Sequence, residues 1–107
     1  MKKLFDVSEF VLPDKRVPVA IDVDVNGEEF TAYFLPLTRF EFDEILKKER
    51  PDDHLIAQTM CDESGVLAFE NNEQVKKLKP KIHSKLSSCA MKASGFGDEA
   101  KAEAKKG

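Results

Sequence analysis

The stretch Val17-Pro18-Val19-Ala20-Ile21-Asp22-Val23-Asp24-Val25-Asn26-Gly27-Glu28-Glu29-Phe30-Thr31-Ala32-Tyr33-Phe34-Leu35 decides the fold. Val19, Ile21, Val23 and Val25 fall on one side of an extended chain, with Asp22 and Asp24 on the other. That alternation is the mark of a half-buried strand. Asn26-Gly27 follows, the dipeptide that best tolerates the positive φ angles of a type I′ turn. The run from Glu28 to Leu35, rich in aromatic residues, then reads as the return strand. Ahead of this hairpin, residues 4–12 suit either an edge strand or a short helix.

Beyond the hairpin the periodicity changes. Thr38 and Glu41 are spaced as a capping box, and Leu37 and Phe42 as a hydrophobic staple. Phe42, Ile45 and Leu46 then share a helix face, and Pro51 is expected to stop that helix. A second short helix is predicted from Asp52 or Asp53, with Leu55, Ile56, Thr59 and Met60 inward. Asp62-Glu63-Ser64-Gly65 reads as a turn, and Val66-Leu67-Ala68-Phe69 as a brief strand. Asn71 or Asn72 caps a third helix carrying Val75 and Leu78. Pro80 opens a fourth, where a missing N–H is tolerated, with a stripe of Ile82, Leu86, Cys89, Ala90 and Ala93 ended by Gly95. The sequence thus predicts an α+β fold: an N-terminal antiparallel β-hairpin forming a small sheet, then about four short helices. One domain spans residues 1–97. Residues 98–107, with no apolar side chain larger than Ala, are expected to form a flexible, disordered tail.

A chain of 107 residues leaves room for one domain only, and its 41% apolar content supports a thin core beside 35% charge. Domains of this size often complete their burial in an oligomer. A net charge of −3 argues against a general nucleic-acid binder. Met1-Lys2-Lys3-Leu4-Phe5-Asp6 lacks the apolar core of a signal peptide. No apolar run approaches the roughly 18 residues that span a bilayer, so the expectation is a soluble, intracellular protein without membrane contact.

Four groups of residues bear on possible chemistry. His54, Cys61, His83 and Cys89 are the residue types that bind zinc, but their gaps of six and five residues do not match the short paired spacings of structural sites. Asp22 with Asp24 fits a solvated strand face, and Asp52 with Asp53 fits the acidic start of a helix. Asp62 to Gly65 lacks the rest of a calcium loop. His83 and Ser84 diverge on a helix, and there is no glycine-rich phosphate loop. The expectation is a protein without cofactor, metal or catalytic set, acting by binding.

Charge segregation is more informative. Residues 51–75 carry six acids (Asp52, Asp53, Asp62, Glu63, Glu70, Glu73) and no Lys or Arg. Residues 76–92 carry six lysines (Lys76, Lys77, Lys79, Lys81, Lys85, Lys92) and no acid. The two blocks either face each other within the fold, or join subunits head to tail into rings or filaments. In the second case Asp52, Asp53, Asp62, Glu63, Lys76, Lys77, Lys81 and Lys85 are the candidate oligomer contacts. Nucleic-acid binding by the lysine block is disfavoured, because it lacks arginine and interleaved aromatics.

Several motifs between residues 37 and 97 run in a characteristic order. They are Leu37-Thr38 at a helix start, Leu55-Ile56-Ala57, Cys61-Asp62-Glu63-Ser64-Gly65-Val66-Leu67-Ala68-Phe69, Asn72-Glu73-Gln74-Val75 with Leu78, and a helix ending near Ser94-Gly95-Phe96. In this the chain resembles the tail assembly chaperones of long-tailed (lambda-like) bacteriophages, with Ala93-Ser94-Gly95 standing where that family has Leu-Asn-Gly. The resemblance implies a non-enzymatic protein of the host bacterial cytoplasm. It would bind the helical tape measure protein, keep it soluble while the tail tube assembles, and be absent from the mature virion. The tail tube protein is a candidate second partner, and a homo-oligomeric ring or spiral a candidate state. The alternative is a structural tail or connector protein of the virion. A holdase needs exposed apolar surface beside charge, and eight phenylalanines can supply it. Phe30, Tyr33, Phe34 and Phe40 are the candidate partner-facing residues, although at least half of the phenylalanines are expected in the core.

The resemblance also implies a programmed ribosomal frameshift near the end of the gene. Consecutive lysine codons at Lys105-Lys106 suit a slippery site. Sequencing the gene is expected to show an A-rich slippery run there with an overlapping frame continuing onward; an undisturbed frame with no overlap counts against the longer product.

Overall fold

The computed structural model describes residues 2–96, so the predicted tail of residues 98–107 lies outside the described residues. Strand β1 (Val19–Val25) pairs antiparallel with β2 (Glu28–Phe34) in the register set by Asn26-Gly27. Both turn residues take positive φ, at 54° and 86°, and the Gly27 amide donates to Asp24 Oδ1 at 3.0 Å. Helix α1 (Arg39–Leu46) starts on a complete capping box: the Glu41 amide donates to Thr38 Oγ1 at 3.1 Å, and the Thr38 amide to Glu41 Oε1 at 2.9 Å. Arg16 adds a contact with no local signal in the sequence, reaching Glu41 at 2.6 Å and the Pro36 carbonyl at 3.0 Å.

Helix α2 (Pro51–Thr59) is followed by a two-residue strand, β3 (Met60–Cys61), then α3 (Asn72–Lys76) and α4 (Pro80–Ala93). The sheet order is β1-β2-β3, all antiparallel. The α+β architecture matches the sequence expectation, and several boundaries differ for clear reasons. Pro51 opens α2 rather than stopping α1, which has already ended at Leu46. A proline at the first helical position loses no hydrogen bond. Met60 leaves the helix to pair with Phe34, because α2 breaks at Thr59. Val66 to Phe69 make only an isolated bridge, Cys61 with Leu67, instead of a strand. Between 4 and 12, the chain forms a 3-10 turn, Val7–Phe10, capped by Asp6.

The core forms between the inner face of the sheet, α4 packed on it, and α2, which packs in turn on α4, α3 and α1. Phe34, Phe42, Ile56, Val75 and Ala90 are almost wholly buried there. The α4 stripe contains the expected Leu86, Cys89, Ala90 and Ala93, together with Met91 and Ser87. Helix α4 ends in a Schellman motif: Gly95 at φ 83° donates to the Lys92 carbonyl, and the Phe96 amide to the Met91 carbonyl. This places Phe96 on Phe42, with ring centroids 4.5 Å apart. The Leu37 amide donates to Ser94 Oγ at 2.8 Å, joining the start of α1 to the end of α4.

Phe34 is therefore a core residue and not partner-facing as the sequence suggested. The register puts it opposite Val19 on one side and Met60 on the other, on the inner face of the sheet. Phe34→Ala is expected to cost about 3–5 kcal/mol, and Phe40→Ala less than about 0.5 kcal/mol, as read by urea denaturation.

Candidate protein-binding groove

Strand alternation places Phe30, Ala32 and Phe34 on one face with their cross-strand partners Val23, Ile21 and Val19. Burial along this face is uneven. Phe34 is inaccessible, Ala32 half-buried, and Phe30 50% exposed although it faces inward. Cover thus falls off along β2 toward the turn, although Val23 across from Phe30 is buried. Beside Phe30 lies an apolar groove of about 570 Å³, lined by Val25, Phe30, Ala32, Met60, Phe69, Leu78 and Ile82 among others.

The groove exists because β3 is so short. It pairs with β2 only at Tyr33 and Phe34. Asp62 then turns the chain back, its Oδ1 accepting from the amides of Ser64 at 2.8 Å and Val66 at 3.0 Å. Among the described residues, no strand pairs with the edge of β2 from Glu28 to Ala32. An open strand edge beside an apolar groove is the geometry used to capture an added strand or a helix.

Charges of both signs lie at and near the groove. Asp62 and Glu63 line it, and Glu28 and Glu29 lie at the exposed end of β2. Lys79, Lys81 and Lys85 line an adjoining cavity of about 380 Å³ that shares Val25 and Ile82. Lys85 also donates to the Asp24 carbonyl.

The predicted contact residues divide. Phe30 forms part of the groove, and Tyr33, half-buried, adjoins it. Phe40 is 73% exposed but lies on α1, outside the groove lining. Asp62, Glu63, Lys76, Lys77, Lys81 and Lys85 are all exposed, and Asp52 is half-buried. Lys76 pairs locally with Glu73 at 2.9 Å.

Asp53 is a correction. It is only 2% exposed and so cannot serve as an oligomer contact. Its carboxylate accepts from Arg50 Nε at 2.5 Å and lies 2.6 Å from His83 Nε2, which ties α2 to α4. Arg50 takes a left-handed conformation, φ 53° and ψ 60°, at the N-cap of α2. Burial opposes ionisation of Asp53, but the hydrogen bonds and charges of Arg50 and His83 outweigh it and hold its carboxyl below the ordinary range. No local signal marks this cluster, because Asp53 and His83 are thirty positions apart.

The four zinc-type residues do not converge. Asn72 Nδ2 lies 2.9 Å from His54 Nδ1, while His83 meets Asp53. Cys61 and Cys89 are free and buried, and burial pushes both thiols upward. Among the described residues, no group of three or more His, Cys, Asp or Glu could hold a metal ion. No helix among them is long and apolar enough to cross a membrane. No family model, curated protein or solved structure matches the chain.

Asp53→Asn is expected to cost about 2 kcal/mol, the scale of hydrogen bonds to a charged group, with the share of the mostly solvated Arg50 kept small. A lowered carboxyl stabilises the fold fully above its ordinary value of 3.8, and this is lost as pH falls through the lower folded value. The stability difference between wild type and Asp53→Asn is therefore expected to close with acid, measured by denaturation across the acidic range.

Proposed function

We propose that this chain is a tail assembly chaperone of a long-tailed bacteriophage, acting by binding in the host cytoplasm and absent from the finished particle. The observation that carries the reading is the half-open apolar groove under the hairpin, flanked by the unpaired edge of β2 and by charge of both signs. A holdase needs such a surface: apolar enough to shield a client's hydrophobic stripe, charged enough at its rim to stay soluble. Phe5, Phe10, Phe30 and Phe40 are all largely exposed, so half of the chain's eight phenylalanines are available for contact.

In this reading an apolar segment of the tape measure protein lies against Phe30, Ala32, Phe69 and Ile82, with its flanking charges meeting the rim. The groove serves as a shelf for an amphipathic client and requires no chemistry from the chaperone. The motif order from Leu37 to Phe96 adds the resemblance to that family.

The test is co-expression with the tape measure protein of the same phage. Wild-type protein is expected to keep the client in the soluble fraction. Phe30→Asp is expected to reduce that fraction several-fold, and Phe40→Asp to leave it within about twofold, because truncating a contact at the centre of a site costs far more than one outside it. No solubilisation by the wild type overturns the reading, and recovery of the protein in mature particles points to a structural tail or connector role instead.

A further inference from the structure

The open edge of β2 has a defined bonding pattern. The Leu35 amide donates to the Thr59 carbonyl at 2.8 Å, and Tyr33 lies opposite Cys61. Backbone groups alternate in direction along a strand, so the N–H and C=O of Glu29, Thr31, Tyr33 and Leu35 all point away from β1. Tyr33 and Leu35 meet neighbouring chain on that side. Glu29 and Thr31 do not. After Cys61 the Asp62 amide donates instead to the Val66 carbonyl at 2.9 Å, and among the described residues no strand or bridge faces these two. Both residues are exposed. One N–H and one C=O from each are therefore left to water, at the spacing that receives one more strand.

The groove lies where the side chains of that strand would point. Phe30 and Ala32 alternate with the two open residues, face inward and line the groove. Residues opposite them on an added strand share their face of the sheet and so enter the space lined by Phe69, Leu78 and Ile82. A helical occupant would leave the Glu29 and Thr31 backbone unused, because its own amides are bonded internally. The edge and the groove together favour an extended occupant.

Charge narrows the occupant further. Asp62 and Glu63 are the charged side chains in the lining of the groove, and both are acids. They stand where β3 turns away. At the other end of the open edge, beside the turn, Glu28 and Glu29 are exposed. Lys79, Lys81 and Lys85 belong to the adjoining cavity, which meets the hairpin at Val25 and Asn26 rather than at the open edge. A segment laid along that edge therefore has acids at both of its ends.

We infer that the β2 edge captures an extended segment by strand addition, antiparallel to β2 and in line with β3. The segment carries two apolar side chains at alternate positions, flanked on both sides by Lys or Arg. Backbone hydrogen bonds supply attraction that any sequence can give, the groove selects the alternate apolar side chains, and the acids select the flanks. For the identity of the client this rests on the proposed function: the stretch of tape measure protein held against Phe30 is extended and basic-flanked while bound.

The probe is a labelled peptide, acetyl-Lys-Lys-Val-Thr-Val-Lys-Lys-amide, titrated into the full chain by fluorescence anisotropy beside a copy with Glu for every Lys. The basic peptide is expected to bind about tenfold tighter than the acidic one, with the gap shrinking as salt is added. Hydrogen exchange at the Glu29 and Thr31 amides is expected to slow several-fold on binding. N-methylation of the central Thr of the peptide, whose N–H faces β2, is expected to weaken binding about tenfold, the scale of a lost hydrogen bond. N-methylation of either Val, whose N–H points away, should change it less than about twofold. Thr31→Pro removes the edge N–H from the protein while sparing the ladder with β1, and is expected to weaken the basic peptide as much, with the fold checked by circular dichroism. The methylated peptides test the same pairing from the other side if that variant does not fold.

Equal binding of all the methylated peptides overturns the inference, as does a preference for the acidic peptide or unchanged exchange at Glu29 and Thr31. Protection of those amides without peptide, growing with protein concentration, overturns it in favour of a second copy as occupant. In co-expression, a client kept soluble equally by wild type and Thr31→Pro overturns strand capture and leaves the proposed function standing. Peptide pairing with no client solubilised by the wild type upholds strand capture and overturns the proposed function instead.

Discussion

Phe34 sits where each part of the domain meets the others. Its backbone is paired with β1 on one side and β3 on the other, and its ring is inaccessible among the core side chains. Burying an aromatic of this size contributes on the order of 2–3 kcal/mol through apolar area alone, a large share of the net stability of so small a domain. The Asn26-Gly27 turn fixes the register, and the register fixes which side chains face the helices. A slip of one position would turn Phe34 outward and bring Tyr33 in, exchanging the core for a polar face. Helix placement follows from that constraint, since α4 packs on this sheet face, α2 on α4, and α1 on α2.

The same constraint produces the open end. Seven residues of strand extend about 23 Å, and the helices bury Phe34 and Val23 on the inner face but leave Phe30 half exposed. Beyond Ala32 the inner face of β2 continues apolar, with Phe30 lining the groove beside Val25 and Ile82. A domain of this size does not have enough chain to cover both ends. The groove thus follows from the core's location: the residues that would have lengthened β3 are spent in the turn held by Asp62, leaving the edge of β2 unpaired. Negative charge at Glu28 and Glu29 on that edge discourages indiscriminate strand pairing while leaving a matched partner free to bind.

Much of this was legible in the sequence, because the signals were local. Asn26-Gly27, the Thr38–Glu41 box, Pro80 and Gly95 each act within four residues, and each appears where its chemistry requires. The small sheet, the helices and most of the α4 stripe followed from period and capping alone. The misreadings were long-range. Asp53 looked like an ordinary helix-start acid, and only the packing of α2 on α4 brings His83 to it. Arg16 reaches across twenty-five positions to Glu41. Phe34 and Phe30 belong to one strand face and look alike in sequence; their difference is set by where the helices stop. The groove shares that property, since it is formed by what α4 and β3 fail to cover.

The arrangement of charge around the groove explains why acids and lysines are segregated in the chain. Among the described residues, Lys76 pairs locally with Glu73, and Asp53 reaches inward to His83 on α4. Folding places Asp62 and Glu63 in the lining of the apolar groove and Lys79, Lys81 and Lys85 in that of the adjoining cavity, which shares Val25 and Ile82 with it. Exposed rim charges of this kind add little affinity, because water screens them and holding long side chains costs entropy. In the proposed function their effect is on orientation and partner choice, since like charges brought together at the groove or the adjoining cavity disfavour a mismatched segment. In that reading apolar area supplies the attraction and the neighbouring charges of both signs restrict which hydrophobic segment the exposed phenylalanine meets.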